Sequence, residues 1–118
     1  LGQVRYLSMV AQVDAVVGNS SSGLTEVPSF GIGTVNIGDR QRGRLKASSV
    51  VDCDPDRQSI SAALAHTQSE EFRSVLATSS NPYDPYGDGQ TSRRVVEVLR
   101  TIDLDGVLKK RFYNLPAA

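Results

Sequence analysis

Short apolar runs alternate with amphipathic segments along this chain. Three runs rich in Val and Ile have the length and composition of buried strands: Ala15–Val17, Thr34–Ile37 and Ser49–Cys53. Elsewhere apolar residues recur every three or four positions, which predicts helices over Leu1–Val13, Leu24–Phe30, Arg57–His66, Ser69–Ala77 and Gln90–Ile102. Strands that alternate with helices predict an α/β fold, a Rossmann-like parallel sheet with flanking helices.

The last helix and the residues after it carry apolar side chains that need cover. Periodicity points Val95, Val98, Leu99 and Ile102 inward, and an apolar tail follows over residues 104–118. We therefore divide the chain into residues 1–103 and this tail. A doubly wound domain normally has five or six strands, and the chain begins without methionine. We expect a fragment, or a chain completed by a part supplied elsewhere.

The loop after the first strand is the first candidate for chemistry. The strand ends in Gly18, and Asn19 to Ser22 are all small and polar. Ligands of parallel α/β sheets bind beyond the carboxyl ends of the strands. Small residues allow close backbone approach, and the amides of a following helix attract an anion such as phosphate. The hydroxyls of Ser20, Ser21 and Ser22 add donors. The alternative is that Ser22 or Thr25 only caps the helix.

Charged residues follow at the same predicted edge of the sheet. Glu26 falls in the first helical turn, where its carboxylate can accept hydrogen bonds from sugar hydroxyls, and Arg40, Arg42 and Arg44 come just after the second strand. A nucleoside diphosphate fits this set, with its phosphates on amides and arginine and its ribose on Glu26. Alternatively, Glu26 complements the helix dipole and the arginines form a solvated loop.

Composition excludes several other classes of function. The 118 residues carry 13 basic and 13 acidic side chains, so net charge offers no basis for binding nucleic acid or an anionic membrane. No apolar run approaches the length of about 20 residues that spans a bilayer, and no signal peptide is visible, so we expect a cytoplasmic protein. Cys53 reads as a buried small hydrophobe and His66 as a structural residue near a helix end.

Three motifs resemble the UDP-N-acetylglucosamine 2-epimerase family, in particular its hydrolysing branch, which forms N-acetylmannosamine for sialic acid-type sugars. They are Gly18-Asn19-Ser20-Ser21-Ser22-Gly23 with Glu26, Asn36-Ile37-Gly38-Asp39-Arg40-Gln41-Arg42-Gly43-Arg44, and Asn81-Pro82-Tyr83 with Tyr86-Gly87-Asp88-Gly89. In the last motif, Tyr83-Asp84-Pro85-Tyr86 looks like a small insertion. The segment around it, from Thr78 to Gly89, is either a surface connection or a loop that returns to the nucleotide.

The resemblance implies the C-terminal part of a two-domain fold of the GT-B type. It assigns UDP binding to Ser20, Ser21, Glu26 and Arg40, with Ser22, Gly23 and Arg44 beside them, and it implies no metal or redox cofactor. The implied reaction removes the C2 proton, eliminates UDP to a 2-acetamidoglycal and adds water. The family's acid–base residues lie mostly upstream, so no catalytic residue carries over, and we expect no turnover by the chain alone.

Two other classes of function stay open from the sequence. The chain could be a non-catalytic nucleotide or nucleotide-sugar binding module, or a structural fragment that oligomerises. The expected partners are UDP or a UDP-sugar and either a missing N-terminal domain or a second copy bound through the tail. A glycosyltransferase is the rival enzyme, and the Asn36 to Gln41 run argues against it.

Overall fold

The computed structural model describes residues 2–106, 108 and 109 of the chain. They divide into two compact units, Leu1–Gly87 and Asp88–Ala118. The first unit holds the sheet and its flanking helices, and the second holds one helix of the described residues. No helix within the described ranges is long and apolar enough to cross a membrane.

A parallel three-stranded sheet forms the centre of the first unit. Its strands lie in the order β1-β2-β3 and comprise Ala15–Gly18, Gly33–Ile37 and Val50–Cys53. The register pairs Gly18 with Asn36 and Asn36 with Asp52, so the carboxyl ends of the three strands meet at one edge. The predicted α/β class and the three predicted strands are confirmed.

Five α-helices surround or follow these strands in the part of the chain that the structure describes. They are α1 (Gln3–Val10), α2 (Ser22–Thr25), α3 (Arg57–Thr67), α4 (Glu70–Thr78) and α5 (Thr91–Thr101). Asp56 caps α3 by accepting a hydrogen bond from the Ser59 amide at 3.0 Å, and Ser69 caps α4 in the same way through the Phe72 amide at 3.1 Å. These caps explain why both helices begin where the sequence predicts.

The predicted helix from Leu24 to Phe30 is wrong as a single element. α2 ends at Thr25, and a separate 3₁₀ helix spans Val27–Phe30. Pro28 is the physical cause, because it has no amide proton to donate to Leu24 one α-helical turn earlier. The chain tightens instead, and the Ser29 amide donates to the Glu26 carbonyl at 3.1 Å.

The two faces of the sheet are covered by different helices. A Cβ at Gly33 would lie 2.9 Å from the Phe72 ring of α4, whereas Thr34 points to α2 and donates to the Gly23 carbonyl at 2.8 Å. Adjacent strand residues face opposite sides, so α2 covers one face and α4 the other. Val35, Leu24, Val27 and Phe72 are the buried apolar residues of this packing.

The predicted inward face of the last helix is also wrong for this chain. Val95, Val98, Leu99 and Ile102 are all exposed, with Leu99 at 68%. Their spacing is that of a helix face that packs, yet nothing among the described residues covers them. Most of the predicted apolar tail, residues 104–118, lies outside the described residues.

Candidate functional site

The loop after β1 offers unused backbone donors. The Gly23 amide donates to the Ser20 carbonyl at 3.2 Å, and the Leu24 and Thr25 amides donate to the Ser21 carbonyl. The amides of Ser20 and Ser21 themselves find no acceptor among the described residues, and both residues are exposed. Two adjacent N–H groups at the carboxyl end of a parallel strand can hold an anionic oxygen.

Ser22 and Gly23 have structural partners instead. The Ser22 hydroxyl lies 2.6 Å from the Tyr6 hydroxyl, which ties α1 to α2. A Cβ at Gly23 would lie 2.6 Å from Thr34 Cγ2, closer than real Cβ atoms approach a neighbour. Gly23 therefore lets α2 lie directly on β2, a role in packing that the sequence does not reveal.

Glu26 lies at the junction between α2 and the 3₁₀ helix. Its amide donates to the Ser22 carbonyl at 3.0 Å, and its backbone has φ −111° and ψ −48°. The sequence predicts Glu26 in the first turn of a longer helix. In the structure Glu26 instead ends α2. The half-buried carboxylate has no hydrogen-bond or ionic partner among the described residues, so its oxygens are available as acceptors.

The loop after β2 carries the three arginines. The Arg42 amide donates to the Asp39 carbonyl at 2.8 Å and the Arg44 amide to the Gln41 carbonyl at 3.3 Å, so the loop folds as successive turns. The side chains of Arg40, Arg42 and Arg44 are exposed, and none has an acidic partner within the described part of the chain. Their guanidinium groups are available to an anion at this edge of the sheet.

Gln41 joins the two loops. Its side chain is buried, and Nε2 donates to the Asn19 carbonyl at 2.7 Å. This bond holds the arginine loop against the serine loop, so the structure brings the neighbourhood of Arg40 to that of Ser20. Sequence analysis missed Gln41 as a functional residue, because a glutamine between two arginines gives no signal of burial.

A polar cluster lies beside this loop at the ends of β2 and β3. Lys46 Nζ contacts both carboxylate oxygens of Asp52, at 2.8 and 2.6 Å, and Asn36 Nδ2 donates to one of them at 2.7 Å. Burial raises the pKa of Asp52, but the hydrogen bonds from Lys46 and Asn36 lower it by more. The cluster fastens the end of the arginine loop to β3.

Cys53 and His66 have structural surroundings. Burial, followed by the nearby charges of Asp54 and Asp56, raises the pKa of the half-buried Cys53 thiol, which disfavours the thiolate that a nucleophile needs. The His66 ring contacts Phe72 edge-on, with 5.2 Å between ring centroids. Both observations agree with the structural roles predicted from sequence.

The closing motif returns to the end of α2. Asn81 is buried and donates to the Thr25 carbonyl at 2.9 Å and to the Ser29 hydroxyl at 2.7 Å, while its oxygen accepts from the Tyr83 amide at 2.9 Å. The Asn81 end of this segment therefore returns to the end of α2, and its return to a nucleotide stays a prediction. In the second unit, Arg94 holds the pKa of Asp88 well below its usual range, and Asp88 also accepts from the Gln90 amide at 3.0 Å.

Comparison with known proteins gives a consistent result. A family model described as UDP-N-acetylglucosamine 2-epimerase matches residues 1–100. Polysialic acid biosynthesis protein P7 of Escherichia coli is 47% identical over 112 residues, which are 94% of this chain and 28% of that protein. The GDP/UDP-N,N'-diacetylbacillosamine 2-epimerase (hydrolyzing) of Campylobacter jejuni is 36% identical over 115 residues, 98% of this chain and 29% of that protein. The chain thus spans less than a third of the length of these relatives.

Proposed function

Because the chain belongs to the UDP-N-acetylglucosamine 2-epimerase family, we propose that it is the UDP-binding part of a hydrolysing 2-epimerase. The observation that carries the proposal is a set of groups without partners among the described residues, on the loops after β1 and β2 and at the end of α2: the amides of Ser20 and Ser21, the Arg40 guanidinium and the Glu26 carboxylate. The name of the Escherichia coli relative, a polysialic acid biosynthesis protein, favours a substrate that leads to sialic acid-type sugars.

The diphosphate would lie at the serine loop. The two free amides are neutral donors to an anionic oxygen, and Arg40 supplies a planar cation that can donate two parallel hydrogen bonds to phosphate. The Gln41 tether keeps the two contributions side by side. The hydroxyls of Ser20 and Ser21 supply further donors, and Arg44, exposed in the same loop, adds positive charge.

The ribose would lie on Glu26. A carboxylate without donors among the described residues can accept from two vicinal hydroxyls at once, which is the pattern that a ribose presents and a 2′-deoxyribose does not. Ser22 and Gly23 act here by holding α2 in place, through Tyr6 and through close packing on Thr34.

This chain would stabilise the leaving group of the reaction. Elimination of UDP leaves negative charge on the diphosphate, and donors already oriented toward that charge lower the barrier without reorganising. The acid–base groups that remove the C2 proton would come from another part of the protein, closing over the nucleotide. The mechanism requires no group on this chain to exchange a proton with the sugar.

Titration of the chain with UDP and with uridine tests the proposal. We expect weak UDP binding, near 1 mM or about −4 kcal/mol, since one wall of the cleft is supplied by the partner domain. Glu26→Ala should cost about 1–3 kcal/mol of binding free energy. Arg40→Ala should weaken UDP much more than uridine, because its partner is phosphate.

The control is Glu70→Ala. Glu70 is an exposed carboxylate in the first turn of α4, on the opposite side of the sheet from α2, so its removal should leave UDP binding unchanged. Chemical-shift mapping of UDP binding should perturb the ends of β1 and β2. Equal affinity of the wild type and Glu26→Ala, or shifts confined to α5, would place the nucleotide elsewhere and refute the assignment.

A further inference from the structure

The carbonyl of Thr25 is left without a backbone partner by the sequence that follows it. In a 3₁₀ pattern its donor would be residue 28, which is a proline and has no amide proton. In an α-helical pattern its donor would be Ser29, but the Ser29 amide donates to Glu26 instead. A helix-terminal carbonyl in this position needs a donor from outside the helix.

Asn81 supplies that donor. Its Nδ2 reaches the Thr25 carbonyl at 2.9 Å and the Ser29 hydroxyl at 2.7 Å across 56 and 52 residues of sequence. The side chain is only 6% exposed, and its oxygen is occupied by the Tyr83 amide. Both N–H donors of the buried amide are therefore used on the segment around Glu26, and its oxygen is used on the loop that brings Asn81 there.

We propose that Asn81 is the positioning residue that orients Glu26 toward the ribose. The carbonyl that Asn81 holds belongs to the planar peptide group between Thr25 and Glu26. The opposite end of that group, the Glu26 amide, is held by the Ser22 carbonyl at 3.0 Å. The next peptide plane is held as well, because the Ser29 amide donates to the Glu26 carbonyl at 3.1 Å. With the peptide planes on both sides of Glu26 bound, its φ and ψ, and with them its Cα–Cβ direction, are set.

This inference rests on the proposed function, and its consequence is specific to one part of the ligand. The Asn81 side chain donates to Thr25 and Ser29 and accepts from Tyr83, and none of these residues belongs to the serine loop or the arginine loop. Loss of Asn81 should therefore weaken the ribose contact and spare the diphosphate contact. The preference for UDP over 2′-deoxy-UDP measures that contact. Partial unfolding weakens both ligands by the same factor and leaves this ratio unchanged.

The test measures the affinities of UDP and 2′-deoxy-UDP for the full chain and its variants. We expect the wild type to prefer UDP about tenfold, in line with the loss of one strong hydrogen bond. Glu26→Ala should reduce the ratio to near one, and Asn81→Ala should reduce it at least threefold. Asn81→Asp preserves the acceptor for Tyr83 but cannot donate to Thr25, and should behave like Asn81→Ala.

Thr67→Val is the matched control. Thr67 is also 6% exposed and donates to a backbone carbonyl, that of Leu64 at 2.8 Å, but it lies against Gly33 on the other face of the sheet. Thr67→Val should lower stability and leave the ratio at its wild-type value. In the Glu26→Ala background, Asn81→Ala should cause no further change of the ratio, because the two residues act on one contact.

The outcomes separate the two proposals. If Glu26→Ala abolishes the preference and both Asn81 variants retain it, Asn81 does not position Glu26 and the ribose assignment stands. If Glu26→Ala itself leaves the ratio unchanged, the ribose assignment is wrong and the role of Asn81 is overturned with it. If the ratio falls equally in Thr67→Val, loss of a buried hydrogen bond on the other face of the sheet also perturbs the ribose contact, so the effect is not specific to Asn81 and the inference is overturned.

Discussion

Gln41 is a buried amide whose nitrogen has a hydrogen-bond partner and whose oxygen has none among the described residues. The side chain is 3% exposed, and its nitrogen is bound to the Asn19 carbonyl. Its oxygen is buried without a hydrogen-bond partner among the described residues. A buried unpaired acceptor costs about 1–3 kcal/mol, so the bond between the loops carries an energetic penalty.

Replacing Gln41 with methionine should separate these two effects. Methionine preserves the length of the side chain and removes both the donor and the unpaired oxygen, so we expect the denaturation midpoint to stay constant or rise. The loop that carries Arg40 loses its tether, so UDP affinity should fall about three- to tenfold, roughly 0.6–1.4 kcal/mol. Thermal denaturation and UDP titration measure the two quantities.

Gln68→Met serves as the control, since Gln68 is exposed at the C-terminus of α3. It should change neither quantity. Loss of stability in Gln41→Met with unchanged UDP affinity would mean that Gln41 serves the fold alone.

Sequence reasoning at this scale finds charged residues better than buried polar ones. Glu26 and Arg40 stand out by charge and position, and the structure leaves both without partners in the described part of the chain. Asn36 and Asn81 are as buried as core residues, but only because Asp52 and Thr25 approach them from distant parts of the chain. No local pattern encodes such a tertiary contact.

Helices and strands can be predicted from the local sequence wherever one feature of that sequence dominates. Apolar runs predict the three strands, and apolar spacing predicts α3 and α4, whose starts are capped by Asp56 and Ser69. The prediction for the segment after Gly23 is wrong because two features of the sequence have opposite effects there. The spacing of Leu24, Val27 and Phe30 favours a continuous helix, and Pro28 breaks its hydrogen bonding into α2 and a 3₁₀ helix.

The contact between α2 and β2 gives a prediction at the scale of elements. In Gly23→Ala the new methyl group would meet Thr34 Cγ2 at 2.6 Å, so helix and strand must separate. We expect a loss of about 1–3 kcal/mol in the free energy of unfolding, measured by urea denaturation. Adding Thr34→Ser should restore most of it, because serine lacks Cγ2 but retains the hydroxyl that donates to the Gly23 carbonyl.

The single variant Thr34→Ser is the control for the double variant Gly23→Ala with Thr34→Ser. It should cost less than Gly23→Ala, since it removes one methyl group and preserves the hydrogen bond. A Gly23→Ala variant as stable as the wild type, or a double variant no better than Gly23→Ala, would contradict close packing as the reason for glycine at this position.

At the scale of the whole molecule, the sequence pattern predicts that α5 has an apolar face but not what covers it. Periodicity predicts that this face points inward, but Val95, Val98, Leu99 and Ile102 are exposed. The chain spans only 28% of the length of its Escherichia coli relative, so the missing partner of this face need not lie within the sequence. The amphipathic pattern of α5 indicates that its apolar face needs to be buried. The pattern does not identify the surface that buries it, because that depends on tertiary contacts.

An uncovered apolar face should make the chain associate with itself. Burial of a side chain such as leucine against a second copy is worth about 1.5–3 kcal/mol, and several such side chains lie on one face of α5. We expect the sedimentation coefficient to increase over about 5–200 μM, the range in which a micromolar dimer would form. Leu99→Glu places a charge in the middle of this face and should shift the population toward monomer.

Arg100→Ala is the matched control, because it also lowers the net charge by one unit but changes a residue predicted to lie on the polar face of the same helix. It should associate like the wild type, so that a difference between the two variants reports apolar contact rather than charge. If the wild type stays monomeric throughout this range, the apolar face of α5 does not mediate self-association. If Arg100→Ala dissociates as fully as Leu99→Glu, the contact is electrostatic and lies outside the apolar face.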